Sequence, residues 1–260
     1  MELQRNAFKQ AIAERRRQIG FWLSLASPFA AEAVAGAGFD WLLLDMEHSP
    51  STLDTVLGQM QAVAAYPTSP IIRPASNDPV RIKHLLDLGA QTLLIPYVQS
   101  PAEAAAAVAA TRYPPNGVRG VSAVTRATRF GRVPNYARRA HEELCVVVQV
   151  ETAEALEQLE AIAAVKDVDG VFIGPADLAA SLGRVGEPGH PEVKSAVLDA
   201  IRRINAAGKP GGLLTADAAF AQACLDAGAV FVAVGVDAAV LARSADNLRS
   251  AFKPDGASHA

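Results

Sequence analysis

Leu144-Cys145-Val146-Val147-Val148-Gln149-Val150-Glu151 is the stretch on which the fold turns. Residues 144–150 form a continuous apolar run, rich in β-branched valine, and the run closes on a carboxylate. Polar and apolar residues do not alternate along it. That is the pattern of a strand covered on both faces by other layers.

The same pattern recurs on either side. Phe39-Asp40-Trp41-Leu42-Leu43-Leu44 runs into a polar cluster at 45–49. Pro70-Ile71-Ile72-Arg73 and Thr92-Leu93-Leu94-Ile95-Pro96 read as strands, as do 170–174, 211–214 and 230–234, and a first β-like run lies at 20–25. Helical stretches separate them at 28–37, 52–65, 79–88, 102–111, 153–164, 192–207, 218–227 and 238–252. One segment breaks the rhythm. Residues 113–135 are rich in Gly, Pro and Arg, and read as a long excursion with little regular structure.

Strands alternating with helices point to a parallel sheet with helical crossovers. About eight such units favour a closed α/β barrel, the (β/α)8 TIM barrel, over an open doubly wound sheet. No GxGxxG or P-loop follows the first strand, which weighs against nucleotide binding. Residues 1–253 read as a single barrel domain, and 254–260 as a disordered tail. A chain of 260 residues suffices for one such barrel.

Charge and composition exclude other classes. The net charge of −3 supplies no basic field for nucleic acid or for an anionic membrane. The five arginines at 112, 119, 126, 129 and 132 are too few to change that, and fit solvent, an acidic substrate tail or a neighbouring subunit. Residues 1–17 are polar and lack the apolar core of a signal peptide, and no apolar run is long enough to span a bilayer. Cys145 and Cys224 lie in apolar segments without CxxC spacing, and read as buried free thiols. The expected location is the cytoplasm.

In a parallel barrel, function gathers at the C-terminal ends of the strands. Those ends carry Asp45-Met46-Glu47-His48, Arg73, Gln149-Val150-Glu151 and Gly174-Pro175-Ala176-Asp177. Glu151 and Asp177 are the metal candidates. Two carboxylates with room left for water and substrate oxygens suit a hard cation such as Mg2+ or Mn2+. The competing reading makes each of them a helix N-cap. His48 is the candidate general base, with Asp45 placed to orient its imidazole. A solvated loop histidine is the plainer alternative. Arg73 is the candidate clamp for a developing oxyanion, and an ion pair with Asp45 or Asp87 is compatible with that role. Backbone N–H groups after Gly174, those of Ala176 and Asp177, offer a carboxylate site.

Four stretches carry a resemblance. They are Gly38-Phe39-Asp40-Trp41-Leu42-Leu43-Leu44-Asp45-Met46-Glu47-His48, Gly117-Val118-Arg119-Gly120-Val121-Ser122, Gln149-Val150-Glu151-Thr152, and Asp169-Gly170-Val171-Phe172-Ile173-Gly174-Pro175-Ala176-Asp177-Leu178. In this order the chain resembles the HpcH/HpaI aldolase family, the metal-dependent class II pyruvate aldolases. Within it the chain is similar to the branch acting on hydroxyketoacids such as 4-hydroxy-2-oxoheptanedioate and 2-keto-3-deoxy-rhamnonate.

The resemblance implies a barrel of the phosphoenolpyruvate/pyruvate type with an exchanged C-terminal helix, and a hexamer built as a trimer of dimers. It implies that Glu151 and Asp177 hold Mg2+ or Mn2+, with Co2+ a further candidate. His48 with Asp45 would move the proton, and Arg73 would stabilise the enolate. Trp22, Gln149, Gly174, Ala176, Asp177 and Leu214 would bind substrate. Asp87 and residues 118–125 would lie at the active site of an adjacent subunit. The implied reaction is cleavage of a 4-hydroxy-2-oxo acid to pyruvate or hydroxypyruvate and an aldehyde. The competing functions are an acyl-CoA carbon–carbon lyase of the same superfamily and a non-catalytic 2-oxo acid binding protein. No lysine stands at a matching strand end, so no Schiff base is expected.

Overall fold

The computed structural model describes residues 1–253, so the expected tail at 254–260 lies outside the described residues. Eight strands close into a parallel barrel: β1 (Gln18–Leu23), β2 (Trp41–Asp45), β3 (Ser69–Arg73), β4 (Thr92–Ile95), β5 (Cys145–Val150), β6 (Gly170–Ile173), β7 (Gly211–Leu214) and β8 (Phe231–Val236). Each strand pairs with the next, and β8 returns to β1. The helices are α1 (Ala7–Ala13), α2 (Pro28–Ala35), α3 (Leu53–Val63), α4 (Pro79–Asp87), α5 (Pro101–Thr111) and α6 (Tyr136–Glu143). They continue with α7 (Ala153–Glu157), α8 (Leu159–Ala163), α9 (Pro175–Ser181), α10 (Pro191–Ala206), α11 (Ala218–Asp226) and α12 (Asp237–Phe252). The (β/α)8 barrel expected from the sequence is therefore the fold observed.

Side chains alternate across each strand, and this sorts the core into two layers. Leu44, Ile72, Leu93, Val146, Val148, Val171 and Val232 point outward and pack beneath the helices. Trp41, Leu43, Ile71, Leu94, Val147, Phe172 and Phe231 fill the barrel interior. The interior parity continues past the apolar residues. Asp45 follows Trp41 and Leu43, Arg73 follows Ile71, and Gln149 follows Cys145 and Val147. The polar residues at the strand ends thus converge on one mouth.

The other end is plugged. Phe8 of α1 meets Trp41 and Phe231 edge-on, with ring centroids 6.0 and 5.6 Å away. Ile12 joins the same cluster. Trp41 also explains Gly20, where an added Cβ would lie 2.1 Å from the indole. Close approach, rather than a turn, requires glycine there.

Four details depart from the sequence reading. The polar N-terminus contains α1, and α6 follows the excursion at 113–135, which has no helix or strand. The helix expected at 153–164 is broken at Gln158, whose φ of −105° and ψ of 11° leave the helical region, into α7 and α8. A short α9 forms directly after Gly174. β1 ends at Leu23 instead of at 25, because Ser24 and Leu25 give their N–H groups to the Asp237 carboxylate and not to a ladder. Among the described residues no helix is long and apolar enough to cross a membrane.

Candidate active site

Asp45 and Arg73 stand opposite each other in the β2–β3 register, both on the interior parity. The result is a fork. Arg73 Nε donates to Asp45 Oδ1 at 2.8 Å, and Nη2 donates to Oδ2 at 2.7 Å. The third edge of the guanidinium is also used, since Nη1 lies 2.7 Å from Glu47 Oε2. Trp22 of β1 completes the cluster. Its Nε1 donates to Asp45 Oδ2 at 3.3 Å, and its ring centroid lies 4.9 Å from the Arg73 Cζ. Asp45, Arg73 and Trp22 are all buried. A bidentate, stacked arginine of this kind is a fixed positive charge that lysine would not reproduce.

Asp45 is therefore not the orienting partner of His48. Its carboxylate is taken by Arg73, Trp22 and the Glu47 N–H. Strand register placed a guanidinium opposite it, while His48 lies in the turn beyond the strand. The His48 side chain is 67% exposed, and among the carboxylates of the described residues its Nε2 pairs only with Glu47 Oε2, at 3.9 Å. Glu47 was given no role from sequence. Its position between two named residues was the available signal.

The other half of the mouth is acidic. Glu151 follows β5 and is 2% exposed. Its Oε1 accepts the Tyr97 N–H at 2.9 Å, and its Oε2 accepts Gln149 Nε2 at 2.5 Å. Tyr97 adopts a left-handed backbone, φ 53°, to aim that N–H. Nothing in the sequence marked it. Asp177 is exposed in the first turn of α9, and Leu214 is the half-buried last residue of β7.

Electrostatics divides the two halves. Burial pushes the Asp45 carboxyl up, but the hydrogen bonds and charge of Arg73 outweigh it and hold it below its ordinary value. For Glu47 burial wins over Arg73 and His48, and its carboxyl is raised. Glu151 is raised to about 7, first by burial and then by the negative charges of Asp177 and Glu47, with the Gln149 hydrogen bond opposing. A carboxylate raised in this way is one that a bound cation would stabilise.

The donor set fits one. Glu151 and Asp177 offer hard oxygens, as Mg2+ or Mn2+ prefer. An added Cβ at Gly174 would stand 2.5 Å from Glu151 Oε2 and 3.0 Å from Gln149 Nε2, so glycine keeps this cradle open. Gln149 Oε1 is buried without a partner among the described residues, an acceptor left over at the same place. No group of three or more metal-ligating side chains is found among the described residues, so the candidate set is the pair.

Asp87 is not brought to this mouth. It closes α4, which returns to the opposite end of the barrel, and its Oδ1 accepts from Arg119 Nη2 at 2.8 Å. Arg119 is fully buried, with its guanidinium 4.5 Å from the Tyr113 ring centroid. A separate cavity of about 560 Å3 opens at that same far end, lined by Thr68, Gln91, Arg126 and Arg129. None of the mouth residues lines it.

Fold and site together define a barrel enzyme whose mouth sets one clamped arginine against a cluster of carboxylates. The chain belongs to the HpcH/HpaI aldolase/citrate lyase family, whose model matches residues 18–244, and it is an aldolase. It is 62% identical over 252 residues to a pyruvate aldolase of Rhizobium etli, covering 97% of this chain and 99% of that one. It is 57% identical over 249 residues to a 4-hydroxy-2-oxo-heptane-1,7-dioate aldolase of Salmonella heidelberg, covering 95% of each. A crystal structure of a family member from Burkholderia cenocepacia matches with a TM-score of 0.91 at 39% identity, over 95% of this chain and 99% of that one. These relatives favour neither the acyl-CoA lyase nor the non-catalytic reading.

Proposed function

We propose that the chain catalyses the reversible, divalent-metal-dependent cleavage of 4-hydroxy-2-oxo acids to pyruvate, or hydroxypyruvate, and an aldehyde. The observation that carries this is the pairing of a buried, forked Arg73 with the Glu151 and Asp177 carboxylates at one mouth. The names of the 57–62% identical relatives point to the same substrate class. Mg2+ or Mn2+, with Co2+ as a further candidate, is the ion proposed for the carboxylate pair.

A divalent ion bound there supplies Lewis-acid polarisation of the 2-oxo group. The chain's own residues do the rest. The N–H groups of Ala176 and Asp177, in the first turn of α9, lack helical partners and receive the substrate carboxylate. Gln149 and Trp22 line the pocket, and Leu214 borders it. His48 takes the proton of the C4 hydroxyl. The C4–O electrons then form the aldehyde carbonyl, the C3–C4 bond breaks, and its electron pair forms a C2–C3 double bond as the carbonyl π pair moves onto the C2 oxygen. Arg73 faces that oxygen with the N–H groups left over from its three engaged edges. One such donor is typically worth about 3–4 kcal/mol in the transition state. Protonation at C3 completes pyruvate. The synthetic direction reverses each step.

The reading includes assembly. Val240, Leu241, Leu248 and Phe252 of α12 are exposed, which supports exchange of this helix between two subunits, with three dimers forming a hexamer. Asp87, paired with Arg119 in its own subunit, and the exposed Val118, Val121 and Val124 then lie at a neighbouring subunit's mouth, where Asp87 takes part in the chemistry. Light scattering tests the hexamer directly. Residues 1–253 act as one catalytic domain. The unpaired buried thiols of Cys145 and Cys224 support the cytoplasm as its place.

The deciding experiment is aldol addition of pyruvate and hydroxypyruvate to a panel of aldehydes, on chelator-stripped protein before and after Mg2+ or Mn2+. Product formed only with metal is the expected result. Product without metal removes the role of Glu151 and Asp177, and no product under any condition removes the proposed reaction.

A further inference from the structure

We propose, resting on the function above, that Asp237 is a positioning residue: it fixes the loop after β1, and thereby Trp22, in the place where the indole holds Asp45 and Arg73. Asp237 opens α12 and is 6% exposed. No cation is paired with it among the described residues. Instead four donors converge on its carboxylate. Oδ1 accepts the Ser24 N–H at 2.8 Å, the Ser24 hydroxyl at 2.9 Å and the Ala238 N–H at 2.7 Å. Oδ2 accepts the Leu25 N–H at 3.2 Å.

This is where the barrel is least regular. The β1–β8 register shifts between Gly20 and Trp22, and Trp22 stands opposite Val236. Beyond Leu23 the chain has no ladder, and Ala26 takes a left-handed turn at φ 52° before Ser27 caps α2. The Asp237 carboxylate replaces the missing ladder. A buried carboxylate is tolerated only when its lone pairs are fully met, and here donors of the loop and of α12 meet them. Two residues upstream, Trp22 donates to Asp45 and stacks on Arg73. The path from Asp237 to the oxyanion clamp is therefore short and continuous. Glu151, at the end of β5 and held by Tyr97 and Gln149, and Asp177, on α9, stand outside it.

That separation gives a test. Asp237→Asn keeps the shape and loses half the acceptors, while Ser24→Ala removes one 2.9 Å bond and leaves the acid in place. Both variants are assayed for kcat, for metal Kd by calorimetry, and for acrylamide quenching of tryptophan fluorescence. Asp237→Asn should lower kcat by about tenfold or more, approaching the roughly 100-fold cost of a 1 Å misplacement, and Ser24→Ala by about threefold. Metal Kd should stay within about twofold, and quenching should rise as the Trp22 indole, 4% exposed in the intact protein, loosens. Unchanged kcat and quenching in folded variants overturns the proposal. So does a parallel fall of kcat and metal affinity, which marks general loosening. If Asp237→Asn does not fold, Ser24→Ala carries the same comparison. Wild-type protein that binds metal but turns over no 2-oxo acid defeats the proposed reaction instead, and the quenching comparison still decides the clamp.

Discussion

Loading of the mouth with metal should expel a proton, and the number expelled should depend on pH in a way the structure sets. Glu151 sits at about 7 against an ordinary 4.5, chiefly through burial. A metal takes only the carboxylate, so binding must displace whatever proton Glu151 carries. At pH 7 that is about half a proton per ion; at pH 6 it is about 0.9, and at pH 8 about 0.1. The apparent affinity should weaken about tenfold from pH 8 to pH 6 through this group alone. In the metal-free protein the sign is opposite to the usual acidic case. The folded pKa lies above the unfolded one, so Glu151 favours the fold fully below about pH 4.5 and that contribution is lost as pH rises through about 7. A difference of this size corresponds to about 3 kcal/mol, which metal binding offsets at neutral pH. Calorimetric titration with Mn2+ in two buffers of different ionisation enthalpy counts the protons. Glu151→Gln should abolish the pH dependence and weaken binding by at least the roughly 10–100-fold that loss of an outer-shell partner costs. Equal proton release at pH 6 and pH 8, or an unchanged titration in Glu151→Gln, would refute the assignment.

Three further outcomes follow from the geometry. Arg73→Lys keeps a charge but loses the fork onto Asp45, and steady-state kinetics should show kcat reduced by about 100–1,000-fold; near-normal turnover removes Arg73 from the chemistry. Gly174→Ala drives a methyl to within 2.5 Å of Glu151 Oε2 and 2.8 Å of its Cβ; Mn2+ binding should weaken by about tenfold or more, and urea titration should report about 1–3 kcal/mol lost to overpacking. Phe8→Ala empties the plug against Trp41 and Phe231, and urea titration should report about 3–5 kcal/mol lost, with metal affinity in the folded protein unaffected.

The strands were legible because both of their faces are covered, which leaves continuous apolar runs ending on a polar residue. Asp45, Arg73, Gln149 and Glu151 could be picked out for that reason. The helices least visible were α1 and α6. α6 has the sequence Tyr-Ala-Arg-Arg-Ala-His-Glu-Glu and buries only Tyr136 and Ala140, too little for an apolar period to show. Pairings across strands were harder still. Proximity in sequence joined Asp45 to His48 and left Arg73 a choice between Asp45 and Asp87; register decides for Asp45, twenty-eight residues away in the chain. Tyr97 acts through its backbone, and a backbone N–H leaves no trace in residue type.

The closure of β8 onto β1 also bears on how the protein comes into being. Trp22 leaves the ribosome early, yet the outer edge of its strand has no partner until residues 231–236 are made. At roughly 5–20 residues per second, that edge waits on the order of 10–40 seconds. An unpaired apolar edge is a template for another chain. α1, which emerges just before β1 and carries Phe8 and Ile12, is at hand throughout that wait, and its apolar face is available to cover the strand until the last one claims it.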